Sequence, residues 1–257
     1  MTTMIQSEDP AIHVGIVGAQ VWADALEKIT AGAVPQDDPD LLAFWEAAGI
    51  LRRGELDQMW ASALRVVQES TVGSQLISTY GKVVFRGTIM VEGEHAVCLT
   101  ERGVVGANED GERIIQGLDP MIEVAIAPAG KVWKLVRRVL PPLEELRHEP
   151  KAAKLRDEDL VTLEGLRLPP SMVAKPETFA SELHQLPNLP PRLVDLFDAR
   201  AQVFAFTYAL DDDGARTSSK AWALGKRLYM VDSDENLIWQ VPAGQLGATI
   251  VAALREA

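Results

Sequence analysis

The sequence predicts an α+β protein with two quasi-two-fold halves, each running helix, antiparallel sheet, helix around a central sheet. Three observations carry this. Pro-Ala-Gly occurs twice, at 128–130 and 242–244, 114 residues apart. Each copy follows an apolar β-prone run, 122–127 and 237–241. Each precedes apolar residues at helix spacing: Val132, Leu135, Val136 and Val139, then Leu246, Ile250, Val251 and Leu254. A duplication of this kind can hold both sets of strands in one shared sheet.

The elements follow in order. Residues 12–17 (IHVGIV) form a short apolar strand and 19–29 a helix. A loop at 31–39 carries Gly32, Pro35 and two aspartates, with Asp40 directly after it. Asp40 is the expected N-cap of a helix bearing Leu41, Leu42, Phe44 and Trp45, which Gly49 ends. The next helix has the broadest apolar stripe in the chain: Leu56, Met59, Trp60, Ala63, Leu64 and Val67.

From Ser74 the period changes to that of strands. QLISTY, KVVFRGTIMV and HAVCLT are β-branched or aromatic runs, punctuated by Gly81, Gly87 and Gly93. VEGEH is the turn between two of them, and VVGANEDGERII is a more polar hairpin. The first Pro-Ala-Gly and a helix to Leu140 close this half. Residues 141–175, charged and holding five prolines, read as the crossover. The second half repeats the order: helices at 177–186 and 191–199, strands at 202–210, 220–224, 226–231 and 237–241, then the second Pro-Ala-Gly and the last helix. The halves divide as 1–145 and 146–257, within one integrated domain.

Composition narrows the function. The chain has 257 residues, 47% hydrophobic, enough for one large core or two smaller ones. Its net charge of −12 argues against nucleic acid or an anionic membrane as partner, since both are held by clustered Lys and Arg. No apolar run approaches the roughly 20 residues that span a bilayer. The opening MTTMIQSEDP lacks the basic and apolar regions of a signal peptide. One cysteine, Cys98, excludes an internal disulfide. The expectation is a cytoplasmic protein.

Familiar motifs fail on their own chemistry. Gly15 and Gly18 stand where a dinucleotide-binding turn needs three glycines to let backbone approach a pyrophosphate. DSDEN at 232–236 imitates a calcium loop, but Leu237 replaces the turn glycine and Ala243 the bidentate glutamate. The acidic run Asp211 to Gly214 reads as a solvated turn. Cys98 sits mid-strand between Val97 and Leu99 and reads as a buried structural thiol. His13, His95, His148 and His184 show no metal spacing. The chain displays no catalytic constellation, no metal site and no cofactor motif, so the expectation is a binding protein and not an enzyme.

The stretch DPDLLAFWEAAGILRRGELDQMWASALRVVQES resembles the N-terminal region of the EspG family of actinobacterial type VII (ESX) secretion chaperones. The resemblance rests on Gly49-Ile50-Leu51, Gly54-Glu55-Leu56-Asp57 and Ala63-Leu64. KVVFRGTIMVEGEHAVCLTERG resembles the family's central hairpin, and the close from Gly225-Lys226-Arg227-Leu228-Tyr229 through the last helix resembles its C-terminal end. The match spans nearly the whole chain, through apolar and glycine positions. It implies two pseudo-symmetric halves around a central sheet. It implies a cytosolic chaperone that binds the helical tips of secreted pairs, PE/PPE-like or WXG-type, and keeps them soluble and export-competent. It implies no cofactor and no catalysis, and the expected state is a monomer or weak homodimer.

The resemblance makes the turn Val91, Glu92, Gly93, Glu94 and His95 and the helices around 177–199 the expected contact elements. The strand QVFAFTYAL alternates Phe204, Phe206 and Tyr208 against Val203, Ala205 and Thr207. By bulk, the aromatic face should meet the core and the smaller face should be covered by a partner; alternatively both faces are core. Glu92, Glu94, Asp211 and Asp212 are the expected rim. Two other readings stand beside this one. A pocket uniting His95, Cys98 and a carboxylate would favour a hydrolase, and obligate self-association a structural or immunity-type protein.

Overall fold

The computed structural model describes residues 9–30, 38–109, 113–154, 160–162, 199–211, 214–232 and 237–255. Its centre is an eleven-stranded antiparallel sheet. The strands are β1 (His13–Gly18), β4 (Val72–Tyr80), β5 (Val83–Glu92), β6 (His95–Ala107), β7 (Arg113–Leu118), β8 (Met121–Pro128), β9 (Leu160–Thr162), β10 (Ala201–Asp211), β11 (Gly214–Leu224), β12 (Leu228–Asp232) and β13 (Leu237–Gln240). A small ribbon, β2 (Leu51–Arg52) and β3 (Glu55–Leu56), stands apart from it.

The order across the sheet is β1-β8-β6-β5-β4-β10-β11-β12-β13-β9. It reads the same from both ends: edge strand, closing strand, and three hairpin strands that meet at β4 and β10. Leu76 pairs with Ala205 at the middle of that central ladder. Among the described strands, β7 breaks the symmetry. It pairs with β6 beyond the point where β6 leaves β8, with a register shift within that ladder between Val104 and Val105.

Six described helices complete the fold: α1 (Ala19–Thr30), α2 (Pro39–Ala47), α3 (Gln58–Glu69), α4 (Val132–Val139), α5 (Glu144–Arg147) and α6 (Gln245–Ala253). The cap of α2 is Asp38 and not Asp40; its carboxylate accepts from the Leu41 amide at 3.0 Å. The reason is Pro39, whose fixed φ and missing N–H suit the first helical position. Asp40 falls within the first turn. Asp57 caps α3, and Leu56, expected in that helix, belongs to β3.

Helices α4 and α6 cover one face of the sheet. From α4, Val132, Trp133, Leu135, Val136 and Val139 are all buried. An isolated helix of eight residues is marginal in water, because nucleation fixes several residues for one bond. Burying five large side chains contributes on the order of 10 kcal/mol gross, so packing and not propensity holds α4 in place. Its last turn is tied down by the Ser78 hydroxyl of β4, which donates to the Val139 carbonyl. Arg138 Nε meets Glu123 of β8 at 2.6 Å. From α6, Leu246, Ile250 and Val251 join the same core, and so does Leu254 just after it. Helices α1, α2 and α3 cover the opposite face over β5, β6 and β8, with Trp22, Trp45 and Trp60 at their centre.

Two consequences bear on the sequence reading. The small face of β10 meets the core under α4 and α6: Val203, Ala205 and Thr207 are 1%, 4% and 8% exposed. Phe204, Phe206 and Tyr208, on the other face, are half-buried. This reverses the expectation from bulk. Helices α4 and α6 cover this face of the central ladder, where Ala205 packs beside the buried Leu76 and Thr207 shares a hydrogen bond with Ser74 at 3.2 Å.

The crossover is described to residue 154. It carries α5 and then runs along the start of α6, where the Lys151 amide donates to the Gly244 carbonyl at 3.1 Å. The Ala153 amide donates to Gln245 Oε1 at 2.8 Å. The helices expected at 177–186 and 191–199 fall outside the described residues, apart from Ala199.

Candidate functional site

The two Pro-Ala-Gly copies do different work. In the first, Ala129–Lys131 makes a short 3₁₀ turn leading into α4, and Gly130 has open space around its Cα. In the second, Gly244 caps α6 with φ +89°, and a Cβ there would stand 2.6 Å from the Glu149 carbonyl. Only glycine meets both demands at 244.

The first copy opens onto a cleft at one end of the sheet. Here β4 begins, β5 ends at the two-residue turn Gly93-Glu94, and α6 terminates. The cleft has a volume of about 480 Å³. Its walls are Thr71 and Val72 of the β4 start, Val91, Glu92 and Gly93 of the hairpin, Ala129, Gly130 and Val132 at the start of α4, and Leu254 and Arg255 at the end of α6. Three of the hairpin residues expected from the sequence therefore line it. The Ala129 amide donates to the Glu94 carbonyl at 2.8 Å and fixes the hairpin against the 3₁₀ turn.

A second cleft, of about 370 Å³, lies on the opposite face of the same hairpin. His95 and His13 line it with Gln58, Met59 and Ser62. The turn 91–95 thus stands between two concave surfaces, one on each side of the sheet. The walls drawn from Thr71, Val72, Ala129, Gly130, Val132, Leu254 and Arg255 are the part sequence reasoning missed. The repeated Pro-Ala-Gly marked the first copy as a helix start but gave no sign that it met the hairpin.

The charges here are arranged asymmetrically. Lys131 Nζ reaches both carboxylate oxygens of Asp9 at 3.1 Å, and Lys134 binds the same carboxylate. The Lys134 and Lys131 ammonium groups and the Ala11 amide hold that carboxyl well below the usual carboxylate range. These pairs compensate the lysines of early α4. Glu92 is half-buried and Glu94 exposed at the tip. Asp211 ends β10 at the same end of the sheet, since β10 and β5 flank β4. Asp212 lies outside the described residues. Val203 and Ala205 belong to the core cluster and Thr207 is buried beside them, so none of the three offers free surface.

Cys98 does not share a pocket with His95. It is fully buried on the α4 face of β6, whereas His95 points to the cleft on the α3 face. Burial pushes its thiol up to about 12, with the Thr100 hydroxyl 3.4 Å away. Among the described residues, no three His, Cys, Asp or Glu side chains are placed to hold a metal ion. No described helix is long and apolar enough to cross a membrane.

No protein-family model matches the sequence, and no curated protein matches it. Among solved structures, the fold is similar to that of the Mycobacterium tuberculosis type VII secretion system chaperone EspG5, determined in complex with the PE25-PPE41 dimer. The TM-score is 0.52 at 13% identity, over 95% of this chain and 96% of that one. An N-terminal dehydratase from the difficidin assembly line overlaps with a TM-score of 0.14 at 10% identity, over 77% of this chain and 86% of that one. An overlap that low marks no shared fold. The EspG-like architecture implied by the sequence resemblance is therefore met at the level of the fold.

Proposed function

We propose that this protein is a cytosolic chaperone of a type VII secretion pathway, binding the helical tip of a secreted helical-hairpin pair and keeping it soluble until export. The observation that carries the reading is fold likeness over 95% of the chain to a chaperone of that system. The same chain independently resembles the EspG family in its glycine and apolar positions. The partner class is a PE/PPE-like or WXG-type pair, and the protein acts without cofactor as a monomer or weak homodimer.

The physics fits the role. A helical pair with an apolar tip aggregates unless the tip is covered. The hairpin Val91–His95, with a cleft on each side, offers a protruding edge and two concave walls. Glu92, Glu94 and Asp211 would rim that end and set orientation, while a few buried anchors supply most of the affinity. The opposite faces taken by His95 and Cys98 speak against the hydrolase alternative.

The test is tagged expression in the native host, with mass spectrometry of what co-purifies. Small secreted helical proteins recovered near stoichiometry support the reading. Recovery of the chain alone, at native expression of its neighbours, overturns it.

A further inference from the structure

The end of the sheet opposite the hairpin cleft carries the second notable surface. Tyr80 pairs with Val83 across β4 and β5, and Val83 pairs with Val104 across β5 and β6. Direct cross-strand partners share a face, so the three form one row. They are 39%, 40% and 53% exposed, although all three are large apolar residues in strands. The row lies just past the end of α4. Directly behind it, Arg102 sits over the Phe85 ring at 6.0 Å. Lys82 occupies the turn beside Val83, and its carbonyl accepts from the Val105 amide at 2.8 Å. Lys82 and Arg102 are both exposed, and neither has an ion-pair partner among the described residues. Among the described residues, the β6–β7 extension that bears Val104 has no counterpart in the other half. Two-fold packing therefore does not account for the row.

We infer that this row is a second docking surface, and that its occupant is an amphipathic helix of a partner protein with acidic residues flanking its apolar stripe. Two arguments choose that occupant. The first is spacing. Strands lie about 4.8 Å apart, so the row spans about 10 Å across the strands. Apolar residues at i, i+3 or i+4, and i+7 of a helix span about 10.5 Å along its axis. A helix lying perpendicular to the strands thus matches the row residue for residue. The second is charge. Lys82 and Arg102 flank the row with positive charge in a chain of net −12, so acidic flanks on the helix are attracted locally. Two cations are fewer than the clusters of about 4–8 Lys and Arg that hold an anionic bilayer, which disfavours a membrane as occupant. Three side chains are also far too few for the roughly 800 Å² per partner of a standard dimer interface, which disfavours a second copy.

The probe is a synthetic amphipathic helical peptide with leucines at i, i+4 and i+7 and glutamates on either side of that stripe, titrated into the full chain by calorimetry and amide NMR. Binding is expected, with shifts centred on residues 80–86 and 100–105. Val83→Asp with Val104→Asp should weaken it at least ten-fold, as should Lys82→Glu with Arg102→Glu. A peptide with lysines in place of the glutamates should bind the charge-reversed variant better than the native chain. All four positions are exposed, and a circular dichroism melt checks that each variant folds. Absence of binding, binding unchanged in both variants, or failure of the charge swap overturns the proposal. So does sedimentation of the native chain with phosphatidylglycerol vesicles that is lost in the same variants, which would make the surface a membrane contact. A native dimer that Val83→Asp dissolves would make it a self-contact and equally overturn the inference. Recovery of secreted partners through the hairpin end should be unaffected by these substitutions, so failure here and failure of the chaperone reading are separable.

Discussion

The ring of Trp133 lies directly over Gly247, with its carbons 3.0–3.2 Å from where a Cβ on that glycine would stand. The two residues occupy the same place in their halves, each three positions after the glycine of a Pro-Ala-Gly. Equivalent positions that meet on a two-fold axis compete for one volume. Here the conflict is resolved by the largest side chain on α4 and the smallest on α6.

Filling that volume should be costly. Gly247→Leu is expected to lower unfolding stability by about 1–3 kcal/mol through overpacking. Adding Trp133→Ala should recover part of that loss, giving a coupling of about 0.5–3 kcal/mol in a double-mutant cycle. Urea denaturation measures both, and strictly additive losses would show that the contact does not govern the packing of α4 on α6.

The two Pro-Ala-Gly glycines should respond differently to the same change. Gly130→Ala is expected to alter stability by no more than about 0.5 kcal/mol, since its surroundings are open. Gly244→Ala forces an L-residue to φ +89° and into the Glu149 carbonyl, and should cost about 1–3 kcal/mol. Equal effects at the two sites would contradict the distinct roles assigned to them.

Cys98 should be inert in the folded chain. Thiol reagents at pH 8 are expected to modify it only on unfolding, because the buried thiolate is disfavoured. The sign of the pH effect follows. The thiol is raised from 9.0 to about 12 on folding, so its contribution to stability is complete below pH 9 and is lost as pH rises towards 12. The alkaline decline in stability should therefore be shallower in Cys98→Ala than in the native chain. Identical slopes would place the thiol in water.

Asp9 should act in the opposite direction. Its carboxyl is held below the ordinary 3.8, so its stabilisation is present above that pH and is lost as pH falls below it. Asp9→Asn should therefore be less stable than the native chain at pH 6, and the gap should close towards pH 2. Hydrogen exchange at Ile12 should speed up with it, because the Ile12 amide donates to the Asp9 carbonyl and the carboxylate anchors that turn to α4. A gap that persists undiminished at low pH would rule out the ion pairs as its source.

At the hairpin, Glu92→Ala with Glu94→Ala is expected to reduce capture of secreted partners several-fold while leaving the melting temperature within about 2 °C. Undiminished capture would move the contact away from this rim.

The strands, their turns and the repeated order were legible in the sequence because they are local. Alternation in KVVFRGTIMV and HAVCLT, and Gly93 between them, needs no distant partner to be read. So too the helix stripe of Trp60, Ala63 and Leu64, which faces the core as its spacing implies. Side-chain bulk along QVFAFTYAL was equally visible, yet it pointed the wrong way. Which face of β10 is buried depends on how closely α4 and α6, from distant parts of the chain, descend onto Leu76 and Ala205. Likewise the tripeptide at 128–130 and 242–244 is the same in sequence, while the chain packed against it decides that only Gly244 is irreplaceable. The chain's local periodicities determined the elements and their duplication. Tertiary contact determined which faces are covered, which end of the sheet is concave, and which apolar side chains are left in water, because those outcomes depend on surfaces brought together from residues a hundred positions apart.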